Sequence, residues 1–314
     1  VIKRSQLCCF MADASEYGGK IDRLCRPLQN KKERISFMSC EGCPSKGNCG
    51  KSAASCGIVN NPNNHIRHIV GVMSGKGGVG KSSVSVLLAR QLARKGLKVG
   101  IMDADITGPS IPRLLGMPRA QAFGTNDAIE PVVDKDGIKC MSLNFLMDDE
   151  NQPVVWRGPI VANAVKQFYT DVIWGDLDVL FIDMPPGTGD VALTVLQSIP
   201  VNGVVMVSTP QPMVSMIVSK AVNMCRQLKI PVLGVVENMS YISCPNCGEK
   251  IALCQDSDRD EFLKQNELKL YGELPMTQSL MNINQEETFD ARTLLEIEQL
   301  MEPAVKQLRE DLGI

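Results

Sequence analysis

The run Gly75-Lys76-Gly77-Gly78-Val79-Gly80-Lys81-Ser82 stands directly after an apolar stretch and directly before an amphipathic one. Its glycines let successive backbone N–H groups turn toward one point, and a helix that starts there adds its own unpaired N-terminal donors. The result is an anion cradle of the P-loop kind. Lys81 is placed to reach the outer phosphates of a nucleotide, and the Ser82 hydroxyl to ligate Mg²⁺. Ser83, next in the first helical turn, belongs to the same nucleotide-binding set. Lys76 is an addition that an ordinary P-loop lacks, and it suggests how the site is completed.

The flanks meet the structural requirement of this motif. Ile69 to Met73 reads as a buried strand. From Ser82, Val84, Leu87, Leu88 and Leu92 recur at helical spacing until Arg94-Lys95-Gly96, a basic last turn followed by a terminating glycine. Further strands are expected at Lys98 to Met102, Lys139 to Leu143, Val179 to Ile182, Gly203 to Val207, Val232 to Val236 and Leu268 to Tyr271. Helices are expected near 159–173, 190–198, 213–229 and 289–311. Nearly continuous Val/Ile runs joined by helices mean an α/β fold, a doubly wound, mostly parallel sheet covered on both faces. This core is expected over residues 66–314. Residues 1–65, rich in Cys, Ser, Asn, Lys and Gly and closed by Asn60-Asn61-Pro62-Asn63-Asn64, read as a Cys-rich N-terminal extension and linker. Met38 opens the motif-like Met38-Ser39-Cys40-Glu41-Gly42-Cys43, so residues 1–37 are open to reading as an upstream extension that the working protein lacks.

Two acidic segments follow strands. Asp183, after Val-Leu-Phe-Ile, stands where a Walker-B carboxylate holds the Mg²⁺ hydration shell. Gly187 and Gly189 behind it allow a loop that moves with the γ-phosphate. Asp105, in Asp103-Ala104-Asp105-Ile106-Thr107-Gly108-Pro109-Ser110, is the candidate for orienting an attacking water, and Asp103 for supporting magnesium. Each acid has a plain alternative as a helix N-cap, strongest for Asp190.

The chain has 314 residues, 44% hydrophobic, with a formal net charge of −2. That balance leaves no electrostatic footprint for nucleic acid. No uncharged apolar run is long enough to span a membrane, and no secretory leader pattern is present in the sequence. Twelve cysteines beside two histidines call for a metal in a reducing, cytoplasmic setting rather than a disulfide framework. Cys244-Pro245-Asn246-Cys247 is half of a four-thiolate site, which a symmetric dimer would complete. Cys40, Cys43 and Cys49 form a second cluster, with Cys25 before it and Cys56 after it. Sulfur ligation alone does not separate zinc from iron–sulfur. Cys140 and Cys225 lie in strand and helix patterns and read as small core residues. His65 and His68 fall in a linker-like stretch and read as solvated side chains.

With these residues in view, the sequence closely resembles the Mrp-type iron–sulfur cluster carrier ATPases, members of the deviant Walker-A group that includes the Min/Par positioning ATPases and the nitrogenase iron protein. The resemblance rests on Gly75 to Ser82, Asp103 to Pro112, Asp183 to Asp190, Glu237-Asn238-Met239-Ser240 and Cys244 to Cys247. It implies a homodimer with facing ATP sites and slow ATP hydrolysis, in which Lys76 reaches the partner's nucleotide. Asn238 would contact adenine, with Pro275 in a loop near the base. Cys244 and Cys247 of both chains would share a 4Fe–4S cluster passed on to apo-proteins. The N-terminal cysteines resemble a second cluster site. The family has thirteen residues where this chain has fourteen between Cys25 and Cys40, which leaves Cys25 and Cys56 as alternative fourth ligands. Other readings are a Min/Par-type positioning ATPase, an ATP-driven iron–sulfur electron-transfer protein, and a zinc-bound structural ATPase. The first requires a basic docking helix, and the tail from Leu294 to Leu312 is acidic.

Overall fold

A computed structural model describes residues 61–314 apart from 107, 125–127, 148–157, 211, 245 and 254–255. The cysteines at 25, 40, 43, 49, 56 and 254 and the segment 1–37 therefore lie outside the described residues.

The strands are β1 (His65–Ser74), β2 (Val99–Asp103), β3 (Phe123–Gly124), β4 (Ile129–Glu130), β5 (Val132–Val133), β6 (Lys139–Met141), β7 (Asp176–Asp183), β8 (Gly203–Ser208), β9 (Val232–Ser243), β10 (Lys250–Ala252) and β11 (Leu270–Pro275). The helices are α1 (Lys81–Arg94), α2 (Ile111–Leu114), α3 (Gly158–Thr170), α4 (Asp190–Ser198), α5 (Pro212–Gln227), α6 (Asp256–Gln265), α7 (Gln278–Met281) and α8 (Ala291–Leu312). Among the described residues the main sheet runs β10-β9-β8-β1-β7-β2-β6-β5, with β11 on the outer side of β9. Pairings from β6 to β9, and β9 with β11, are parallel, and only the short β5 and β10 run antiparallel. The β3–β4 hairpin stands apart.

Central strands that are buried on both faces must be apolar throughout, and β2 and β8 are buried at every residue. The chain leaves β1 toward β2 on one side and later steps from β8 to β9 on the other. Right-handed crossovers in opposite directions put α1 and α5 on opposite faces. α8 packs beside α1 and across β11. The expected strands and helices are all present, with most ends displaced by a few residues and β9 running on to Ser243 rather than ending at Val236. β1 begins earlier than its apolar run, so His65 and His68 lie in the strand, at the end away from the glycine loop. α6, whose ten residues are mostly charged, has no apolar stripe that its sequence could announce.

The ends of β1, β2, β7 and β8 define one edge of the sheet, the edge where ligands bind in such folds. β9 does not stop there. Its pairing with β8 ends at Ser208 opposite Glu237, and it continues to Ser243, so residues 238–243 overhang the edge.

Candidate functional site

β1 delivers the glycine loop to this edge. Gly78 and Gly80 have φ of 81° and 80°, a left-handed backbone that L side chains adopt at a cost. Gly80 is the N-cap of α1 and has no side-chain cap, so the first-turn N–H groups of the helix face the loop. Lys76, Gly77 and Gly78 are exposed at its mouth, whereas Val79 and Lys81 are buried.

Asp183, wholly buried at the end of β7, organises the floor. Lys81 Nζ lies 2.8 Å from its Oδ2. Ser82 Oγ donates to the same oxygen at 2.6 Å, and Ser85 Oγ donates to Oδ1 at 2.8 Å. The carboxylate thus gathers Lys81, Ser82 and Ser85 of α1, and its plain alternative as a helix cap does not describe it, since Gly189 is the N-cap of the next helix. Ser85 was not among the residues anticipated from the sequence. Its position one turn after Ser82, polar within an apolar helix, was the available signal. The loop after β7 lies against the glycine loop: Gly187 N–H donates to Ser74 O at 2.8 Å, and Gly187 takes φ of 80°. Asp190 occupies the first turn of α4, where Gly189 is the N-cap without a side-chain bond, so Asp190 is not the cap.

At the end of β2, Asp103 is buried next to Asp183, its register partner across the sheet. Its oxygens accept from Asp105 N–H at 3.1 Å, Ser142 Oγ at 3.1 Å and Ile111 N–H at 3.4 Å. Burial first, then the charge of Asp183, push the Asp103 carboxyl up to about 8. Asp103 therefore shapes the loop that carries Asp105, which is itself half-buried at the same edge. Ser142 gave no sequence signal, because only the β2–β6 pairing brings it there.

Asn238 lies at the start of the overhang of β9. Its Nδ2 donates to Val79 O at 2.9 Å, and a Cβ on Gly80 would stand 2.2 Å from that nitrogen. Pro275 is the buried last residue of β11, paired with Tyr241, rather than part of a loop.

The overhang ends in the thiol turn. Cys244 N–H donates to Glu249 O at 2.9 Å and Gly248 N–H to Cys244 O at 2.8 Å, with Gly248 in the left-handed region. Cys244 is half-buried and Cys247 exposed, and neither is in a disulfide. The N–H groups of Cys247 and Asn246, together with the Cys247 thiol, hold the Cys244 thiol below its ordinary value. Among the described residues no third His, Cys, Asp or Glu completes a metal site. Two thiols on an exposed turn supply two of the four donors that a four-thiolate site needs. Cys140 and Cys225 are buried in the core with thiols raised by burial, as core residues should be. The base of the overhang is braced by ion pairs that the sequence did not announce. Arg259 of α6 pairs with Glu237 at 3.6 Å and with Glu273, and Lys250 pairs with Glu273 and covers the Tyr241 ring at 4.7 Å.

The fold and loop geometry define a P-loop NTPase. In agreement, the structure superposes on the septum site-determining protein MinD complexed with Mg-ADP from Pyrococcus horikoshii. The TM-score is 0.56 at 18% identity, over 79% of this chain and 98% of that one. A nucleotide-binding protein in complex with ADP from Archaeoglobus fulgidus gives a TM-score of 0.62 at 41% identity, over 74% of this chain and 88% of that one. The iron-sulfur cluster carrier protein of Clostridium perfringens is 44% identical over 79% of this chain and 94% of its own length. Residues 65–310 match the family model described as ParA: NUBPL iron-transfer P-loop NTPase, and the chain belongs to that family.

Proposed function

We propose that this protein is an ATP-dependent iron–sulfur cluster carrier, which receives a 4Fe–4S cluster as cargo and passes it to apo-proteins. The observation that carries this reading is that one strand, β9, holds Asn238 against the glycine loop and Cys244 and Cys247 on an exposed turn. The naming of similar proteins as cluster carriers supports the cargo.

The residues fit the groups that the reading requires. The loop from Gly75 to Ser82 is an anion cradle whose left-handed glycines would be strained by any side chain. Ser82 Oγ and Asp183 form a hard-oxygen pair suited to Mg²⁺, which when bound supplies neutralisation of the phosphate charge. Lys81 binds the outer phosphates, and its buried partner Asp183 keeps it aimed along the loop. Asp105 orients the attacking water, while Asp103 holds the segment that carries it. Lys76, exposed at the mouth, reaches a nucleotide on a second copy. Asn238 contacts the adenine base at the margin of the same loop.

A homodimer supplies the missing half of the cargo site, two thiolates from each chain. Cys40, Cys43 and Cys49, with Cys25 or Cys56, hold a second cluster. The working location is cytoplasmic, since free thiols and a labile cluster require reducing conditions. Among the described residues no helix is long and apolar enough to cross a membrane. A positioning ATPase would need a basic docking helix, and α8 instead packs on β11 and α1 and carries Glu296, Glu298, Glu302, Glu310 and Asp311.

The test is anaerobic reconstitution with iron and sulfide, with metal and sulfide counting and Mössbauer spectroscopy, on the wild type and a Cys244→Ser/Cys247→Ser variant. Transfer to an apo-protein is then followed with and without ATP, and in Lys81→Ala. The wild type should take up one 4Fe–4S cluster more per dimer than the double variant, and Lys81→Ala should assemble that cluster but transfer it poorly. A preparation holding one zinc per chain and taking up no sulfide would overturn the proposal.

A further inference from the structure

The overhang of β9 is irregular at one place, and that place touches the nucleotide loop. Against β11, Glu237 pairs with Glu273 and Tyr241 pairs with Pro275, so β9 carries two residues more than its partner between these pairs. Asn238, Met239 and Ser240 lie in this bulge. Met239 adopts φ of 54°, a left-handed conformation that costs a side chain such as methionine. Its methyl carbon lies 3.9 Å from where a Cβ of Gly80 would stand. Ser240 is buried, and its hydroxyl has no hydrogen-bond partner among the described residues.

Bulges re-aim a strand, and strained residues at a junction persist only where the surroundings hold them. Here the holding contact is the buried bond from Asn238 Nδ2 to Val79 O at 2.9 Å. Val79 and Gly80 belong to the glycine loop, with Gly80 as the N-cap of α1. A shift of that peptide must move the Asn238 amide, because Gly80 leaves no slack beside it. Beyond the bulge, Tyr241 to Ser243 pair with β10 in regular register and end at Cys244, so a shift of Ser240 is delivered to the thiol turn. The buried Ser240 hydroxyl, without a hydrogen-bond partner among the described residues, is the group that a second arrangement of the bulge would satisfy.

We propose that the Asn238–Ser240 bulge is the element that transmits the state of the nucleotide loop to the Cys244/Cys247 turn, with Asn238 as the positioning residue. This rests on the nucleotide-dependent carrier reading above. Coupling needs a nucleotide to favour one arrangement of the bulge over the other, and the Asn238 clamp provides the difference.

The experiment is hydrogen–deuterium exchange by mass spectrometry on the full chain, with and without a non-hydrolysable ATP analogue and Mg²⁺. Peptides covering residues 75–85 report occupancy, and peptides covering 240–250 report the turn. In the wild type both should respond, the turn by about threefold or more in exchange rate. Asn238→Ala and Met239→Gly, at analogue concentrations that saturate protection of 75–85, should lose most of the response at 240–250. Met239→Gly removes the strain without touching the clamp and decides the matter where Asn238→Ala binds nucleotide too weakly. An unchanged response at 240–250 in Met239→Gly, or a wild-type turn that ignores a fully protected loop, would overturn the coupling while leaving nucleotide binding intact. Absence of protection at 75–85 in the wild type would instead overturn the nucleotide reading, and the coupling with it.

Discussion

Gly80→Ala measures how tightly the glycine loop and β9 are locked together. Two costs add at this position. A left-handed φ of 80° costs a residue with a Cβ about 1–2 kcal/mol. The new Cβ would also stand 2.2 Å from Asn238 Nδ2, so the amide must leave and its buried bond to Val79 O is lost. Stranding that carbonyl and amide adds about 1–3 kcal/mol, for a total of about 2–5 kcal/mol. Gly78→Ala is the control, because φ there is 81° but nothing lies within 4 Å of the added atom. It should cost the backbone term alone, about 1–2 kcal/mol. Asn238→Ala removes the amide that clashes, so adding Gly80→Ala to it should again cost only the backbone term. The double-mutant cycle should therefore show a coupling of about 1–3 kcal/mol. Urea unfolding followed by far-UV circular dichroism provides the free energies, compared at constant m. Equal losses for Gly78→Ala and Gly80→Ala, or strict additivity with Asn238→Ala, would refute the reasoning that the loop and β9 share one packed contact.

Other expectations follow from the same site. Asp103 is protonated in the folded protein up to about 8, whereas in the unfolded chain it ionises near the ordinary carboxylate value of 3.8. Between these values only the folded state keeps the proton, so its contribution to stability is lost as pH rises, with a limiting slope of about 1.4 kcal/mol per pH unit. Asp103→Asn mimics the protonated acid, and the metal-free variant should show a flatter stability profile from pH 5 to 8; identical slopes would count against the assignment. Asp183→Asn leaves buried Lys81 without its charge partner and should cost about 3–5 kcal/mol in the nucleotide-free protein, read by thermal or urea unfolding. Ser85→Ala removes one of the bonds that orient Asp183 and should weaken Mg²⁺-dependent nucleotide binding measurably, by calorimetry, while Mg²⁺-independent binding changes little. Arg259→Ala should leave Glu237 and Glu273 less well compensated and speed amide exchange in β10, whereas truncating exposed Arg67 on the far end of β1 should not.

Most of the sheet was legible because buried parallel strands must be apolar along their whole length, and the runs at Val99–Asp103 and Gly203–Ser208 announce themselves. The loop and Asp183 were legible for a different reason. Their chemistry needs particular residue types at fixed spacing, so Gly75 to Ser82 and the acid ending an apolar run are local patterns. The overhang of β9 was not legible, since Asn238-Met239-Ser240 contains nothing that favours a strand and its course is set by Val79 and by β11. Arg259 and Ser142 were equally silent, as their partners lie on other elements. The two histidines were misplaced because β1 extends past its apolar run through pairing with β7.

By itself, then, the sequence determined the ingredients: a phosphate cradle with a second lysine, the buried acid beneath it, and paired thiols too few to close a metal site alone. Each is encoded by neighbours along the chain, where short-range geometry suffices. Only the tertiary structure decided that the strand leading to the thiols runs past the cradle, that Asn238 joins that strand to the cradle by a buried bond, and that a bulge with a left-handed methionine lies between Asn238 and the thiols. Those features depend on which distant segments pack together, and packing of that kind is settled by the whole core rather than by any local run of residues.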